Sequence, residues 1–116
     1  MTTARDALKE ATKYVMNLLA QRDYRGLENL TQGIRMSAND IDRVIRAYGR
    51  HVILPPEEAY SGLTAIEILV PPPGRWSVDM PLWTEEEGES DLTVELRITL
   101  QHDSWVKVTV DDIHVL

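Results

Sequence analysis

Residues 76–110 read WSVDMPLWTEEEGESDLTVELRITLQHDSWVKVTV, and apolar residues take every second position through one run, an acidic connection and two further runs. Successive side chains of a strand point to opposite faces, so this alternation specifies an antiparallel sheet buried on one side. Trp76, Val78, Met80 and Leu82 share that side in the first run, Leu92, Val94, Leu96, Ile98 and Leu100 in the second, and Val106, Val108 and Val110 in the third. The same parity sends Ser77, Asp79, Pro81 and Trp83, then Thr93, Glu95, Arg97 and Thr99, then Trp105, Lys107 and Thr109 to the other face. Two tryptophans at polar positions need a cause. Either that face meets a partner or a second copy, since Trp and Arg are enriched where interfaces concentrate binding energy, or the rings pack at the rim, or a bulge at Pro81 returns Trp83 to the core.

Working outward towards the N-terminus, Pro71-Pro72-Pro73-Gly74 makes a turn into this sheet, and a further strand is expected over Thr64–Val70. Before Pro55-Pro56 the period changes from two to between three and four. Ala4, Leu8, Ala11, Val15, Leu18 and Leu19, behind a Thr3/Asp6 capping box, predict a helix over residues 4–22. Asp23 caps a shorter helix carrying Tyr24, Leu27 and Leu30 and stopping at Gly33, with Gly26 weakening its interior. Ser37 and Asp40 open a third helix, with Ile41, Val44, Ile45 and Tyr48 on one face and Gly49 closing it. Helices followed by strands indicate one α+β domain over residues 1–116. Three N-terminal helices would pack on one face of a curved, roughly four-stranded antiparallel sheet.

The chain has 116 residues and a net charge of -7. Residues 1–50 hold nine Lys/Arg against six Asp/Glu, whereas residues 51–116 hold three against 13, so the halves carry +3 and -10. An acidic sheet disfavours direct nucleic-acid binding and suits a basic partner. The absence of Cys removes thiolate catalysis, disulfides and Cys-based zinc sites, and fits a reducing cytoplasm. Early charges at Arg5, Asp6, Lys9 and Glu10 interrupt any signal-peptide core, and no window is long and apolar enough for a membrane span.

Motifs for chemistry are sparse. Adjacent His102-Asp103-Ser104 cannot form a hydrolase triad, which is a spatial arrangement, and Gly88-Glu89-Ser90-Asp91-Leu92 lacks the second glycine of a nucleophile elbow. Glu85 to Asp91 carry five carboxylates around Gly88 without the EF-hand spacing, and read as a solvated connection that discourages edge pairing. Asp111, Asp112 and His114, with His102 or His51, could in principle ligate a metal, but neighbouring aspartates are more commonly solvent-facing or turn-forming, and His114 fits the polar side of a short strand. Asp79 could serve acid/base chemistry only if buried. Arg43, Arg46 and Arg50 form a cationic row on a solvated helix face. No catalytic residue, metal site or cofactor is assigned.

The segments Trp76–Thr84, Glu86-Glu87-Gly88, Ser90–Thr93 and Asp111–Leu116 resemble a family of small uncharacterised bacterial proteins. At the level of architecture, the order of helices and sheet is similar to the nuclear-transport-factor-2-like, or cystatin-like, cone. That likeness implies isomerases, dehydratases, ligand binders or immunity proteins and transfers no site residue. The reading as a whole is a cytoplasmic, non-catalytic protein-interaction module of immunity type. Its expected contact set is Trp83, Arg97, Trp105 and Lys107 on the outer face, with Glu86 and Glu87 in the acidic connection, facing a protein partner or a second copy. Two alternatives stay open: a small-molecule binder or cone-fold enzyme with a pocket between helices and sheet, lined by Trp76 and by Tyr14 or Tyr48, and an acidic mimic of nucleic acid.

Overall fold

The computed structural model describes residues 3–116. Three helices come first: α1 (Ala4–Ala20), α2 (Tyr24–Thr31) and α3 (Ala38–Tyr48). Five strands follow: β1 (Val52–Ile53), β2 (Thr64–Glu67), β3 (Arg75–Thr84), β4 (Gly88–Gln101) and β5 (Ser104–Val115), with a 3-10 turn at Glu57–Gly62 between β1 and β2. The sheet is antiparallel, curved and open; β1 and β2 share one edge of β3, and β4 and β5 follow on the other side. The expected α+β class and helix-then-sheet order hold.

The helix starts follow from side chains that satisfy the first free amides. Thr3 and Ser37 each form a capping box, accepting from the amides of Asp6 and Asp40 at 3.1 Å while those carboxylates accept from the cap amides at 3.1 and 3.0 Å. Asp23 accepts from the Gly26 amide at 2.9 Å. That cap explains the glycine inside α2, because a Cβ there would lie 2.5 Å from the Asp23 carboxylate. Gly49 closes α3 at φ 78°, where a side chain would be strained.

The core lies between the helices and the inner sheet face. Leu8, Ala11, Val15 and Leu19 of α1, Leu27 of α2 and Ile41 of α3 meet Val78, Met80, Leu82, Leu92, Val94, Leu96, Ile98, Val108 and Val110, all buried. The alternation therefore identified the inner face correctly from Val78 to Val110, except at the start of β5, where Trp105 and Val106 exchange sides.

Three irregularities decide where the outlying residues point. Between Pro81↔Thr93 and Trp83↔Glu89 the register shifts by two residues, so parity survives. Leu82 stays fully buried and Trp83 stays on the outer face, half-buried. The expectation of an irregularity at Pro81 is met, but it does not return Trp83 to the core. Pro81 has no amide to give the ladder, and the buried Ser90 hydroxyl fills the gap by donating to the Leu82 carbonyl at 2.8 Å and accepting from the Leu92 amide at 3.2 Å.

Between Leu100↔Trp105 and Thr99↔Lys107 the shift is one residue, Val106, which reverses parity. Trp105 consequently faces the helices, 5.7 Å from the Tyr14 ring of α1, and Val106 is 55% exposed. The outward placement of Trp105 and the inward placement of Val106 are both overturned. Between Leu96↔Val110 and Glu95↔Asp112 a second single-residue bulge at Asp111 reverses parity again, which returns Ile113 to the interior.

The strand expected over Thr64–Val70 ends at Glu67, leaving Leu69 and Val70 exposed before the prolines. His102 and Asp103 form the tip of the β4–β5 hairpin, with φ 53° and 61°. Two positive φ values are what a tight hairpin turn demands, and that accounts for this tripeptide without catalysis.

Candidate functional site

With all three helices on one side, no helix lies over the outer sheet face, although Thr93 and Thr109 on it are buried, and register pairing arranges the face in rows. Arg75, Thr99 and Lys107 form one row across β3, β4 and β5, and Ser77, Arg97 and Thr109 form the next. The third row is Asp79, Glu95 and Asp112; the fourth is Pro81, Thr93 and His114; Trp83 lies beyond it on β3. Rows are about 6.5–7 Å apart at strand rise. The face thus passes from a basic band through an acidic band to an aromatic end.

The basic band surrounds a cavity of about 240 Å³, lined by Arg75, Arg97, Lys107, Thr99, Thr109 and Asp111 from the sheet and by Ile34 and Arg35 from the α2–α3 connection. Arg35 holds its place at φ 74°, an unusual conformation for a residue with a side chain. Arg75 donates to the carbonyls of Val70 at 2.7 Å, Pro71 at 3.2 Å and Pro72 at 3.1 Å, which ties down the proline loop without neutralising its charge. Arg97 lies 3.6 Å from Asp111, whose side chain is 8% exposed and accepts from the Thr109 hydroxyl at 2.8 Å.

In the acidic band, Glu95, Asp112 and His114 bring ligand atoms to within 4.8 Å of one another. Bonds of about 2.1 Å impose ligand separations of roughly 3–4 Å, so this trio could hold a divalent ion after modest closure. The Asp112 carboxylate accepts from the Ile113 amide at 2.9 Å, and His114 Nδ1 lies 3.3 Å from Asp112 Oδ2 but out of hydrogen-bond alignment. Asp111 instead faces Arg97, and His51 pairs elsewhere, so the metal set considered from sequence is not the one brought together. Asp79 is exposed, which removes the burial that acid/base work would need.

The acidic connection is internally committed. His51 donates its amide to Glu86 Oε1 at 2.8 Å and its Nδ1 lies 2.5 Å from Oε2, while the Glu85 amide donates to the His51 carbonyl at 2.8 Å. Those His51 contacts hold the Glu86 carboxyl down at about 2. Glu87 accepts from Tyr48 at 2.9 Å and from the Thr84 hydroxyl at 3.0 Å. Burial, with the adjacent Glu87 carboxylate, pushes the Tyr48 hydroxyl up. Glu86 and Glu87 therefore fasten the β3–β4 turn to the end of α3, where a freely solvated run was expected.

Of the expected contact set, Trp83, Arg97 and Lys107 share the outer face, Trp105 lies on the helix side, and Glu86 and Glu87 bond within the chain. The Trp83 ring passes near Gly88, 3.6 Å from where a Cβ would stand, and its indole N–H is buried without an acceptor among the described residues. The sequence placed Glu95 on the outer face without a role, and gave none to Arg75 or Arg35. Outward parity next to Trp76 was available as a signal for Arg75 but not for Arg35, which comes from a distant loop.

A larger cleft of about 530 Å³ lies at the ends of α2 and α3, lined by Arg22, Tyr24, Asp42, Arg46, Arg50 and His51 among others. Arg46 pairs there with Asp42 at 3.0 Å. The space between helices and sheet is filled by aliphatic side chains. No helix among the described residues is long and apolar enough to cross a membrane.

The family described as a domain of unknown function, DUF7668, matches residues 16–116, from within α1 to the end of the chain. The chain belongs to that family. The match spans every residue of both bands and Trp83. No curated protein and no solved structure matches the chain.

Proposed function

We propose that this DUF7668 chain is a non-catalytic interaction module that takes a basic protein segment across the acidic band and aromatic end of its outer sheet face. The observation that carries the reading is the row Asp79, Glu95, Asp112, two rows from the half-exposed Trp83 on a face that no helix covers. Aligned carboxylates steer a cationic partner, and a neighbouring aromatic supplies apolar contact area. The aliphatic filling of the interior supports binding at the surface over a reaction chamber between helices and sheet.

The contact set changes accordingly. Trp83 stays, Asp79, Glu95 and Asp112 join it, and Trp105, Glu86 and Glu87 become structural residues. A bacterial, cytoplasmic setting, an immunity-type role against a basic toxic protein, and kinship with the nuclear-transport-factor-2-like cone belong to the same proposal. A second copy of the chain is the competing occupant.

Affinity capture from cells of origin, with the wild type, Trp83→Ala and Glu95→Lys, tests it. The expected result is a basic partner retained by the wild type, lost with either variant and released by salt, while Arg43→Ala on α3 keeps it. Equal capture by all variants, or a doubled mass in solution with no other protein bound, refutes it.

A further inference from the structure

We infer that the basic end of the outer face is a binding site for a small phosphate-class anion. Residues 51–116 contain three Lys or Arg side chains, at positions 75, 97 and 107, and the sheet register brings all three into one cavity. In a half carrying 13 carboxylates, scattered cations would be expected beside acidic neighbours as ion pairs. Instead Arg75 and Lys107 flank Thr99 in one row, Arg97 stands in the next, and Arg35 adds a fourth charge from the helical half.

Among the described residues, Arg35, Arg75 and Lys107 have no carboxylate within ion-pair distance. Asp111 is the one carboxylate lining the cavity, and it sits 8% exposed against Arg97 and Thr109, so it acts as a positioning residue for the Arg97 guanidinium. Four cations and one carboxylate leave a formal excess of +3, more than a monocarboxylate needs and suited to a dianion or trianion. The planar donor forks of arginine and the compact charge of lysine both match phosphate oxygens. The Thr99 hydroxyl, between Arg75 and Lys107, adds a neutral donor. The volume of about 240 Å³ admits phosphate, diphosphate or a short phosphomonoester.

The site is separate from the protein-contact proposal, because it uses the basic rows and not the acidic row or Trp83. Calorimetric titration of the full chain with inorganic phosphate and with pyrophosphate, in low-chloride buffer, tests it. Saturable binding is expected, tighter for pyrophosphate, and weakened about tenfold or more by Arg97→Gln or Lys107→Gln, since hydrogen bonds to charged groups are the strong ones. Arg35→Gln changes an exposed side chain with no partner among the described residues, so it tests the site even if the strand variants unfold. It should weaken binding while leaving the thermal midpoint unchanged. Arg43→Gln, ion-paired on α3, should bind as the wild type does. No saturation by about 10 mM phosphate, a millimolar-scale limit, overturns the inference. Equal weakening by Arg43→Gln overturns it too. Loss of the protein partner in Trp83→Ala with pyrophosphate binding intact would separate the two sites.

Discussion

Replacing Trp105 with alanine removes a half-buried indole from the seam between β5 and α1, where it packs on the core beside Tyr14 at 5.7 Å. Truncation of a fully buried tryptophan costs about 3–5 kcal/mol, and the partial exposure here reduces that to about 2–3 kcal/mol. For 116 residues the unfolding entropy is about 0.24 kcal/mol per kelvin, so the thermal midpoint should fall by about 8–12 °C. The decisive quantity is the coupling. In a cycle with Tyr14→Ala, the aromatic pair should contribute about 0.5–1.5 kcal/mol beyond the two single changes. Chemical denaturation of the four proteins, followed by circular dichroism, measures it. A coupling indistinguishable from zero, with Trp105→Ala costing under about 0.5 kcal/mol as an ordinary surface change would, refutes the parity reversal at Val106.

Acid should loosen the fold through its bonded carboxylates. Glu86 and Glu57 are held down at about 2 by the His51 contacts and by Lys13 and Lys9 respectively, and Asp6 and Asp40 are lowered by their cap bonds. A carboxyl depressed on folding stabilises above its unfolded value of about 4 and loses that contribution as pH falls towards 2. The midpoint measured against pH should therefore drop across that window, and Glu86→Gln should flatten the drop. Gly74→Ala should destabilise by about 1–3 kcal/mol from left-handed backbone strain. Its φ is 91° and a Cβ would lie 2.7 Å from the Leu100 carbonyl, so urea midpoints should record at least that cost. Ser90→Ala should cost about 1–3 kcal/mol in the same assay, because it strips the buried Leu82 carbonyl of its 2.8 Å donor.

The elements that local chemistry specifies were legible: the capping pairs Thr3/Asp6 and Ser37/Asp40, Gly49 as a terminator, and the inner face from Val78 to Leu100. What escaped depends on partners far along the chain. A one-residue bulge leaves no mark in composition, and Val106 reads as inward because it shares parity with Val108 and Val110. Its exposure follows from the opportunity Tyr14 gives Trp105. Glu86 and Glu87 read as a solvated charge run until His51 and Tyr48 come beside them. The two-residue β1 is too short to show a period, and it forms because Thr84 and Trp83 offer a free edge. The -10 charge of the second half conceals the basic band, since positions 75, 97 and 107 meet only through strand register.

The proposed working surface is the outer sheet face and not the helical face. Site-specific photo-crosslinking in living cells probes this, with the reactive side chain placed at position 77, on the sheet one row from Asp79 and Glu95, or at position 43 on α3. A discrete protein adduct is expected from position 77, lost when Glu95→Lys is added, and none from position 43. Adducts formed from position 43 alone, or from position 77 regardless of Glu95→Lys, would refute the proposal.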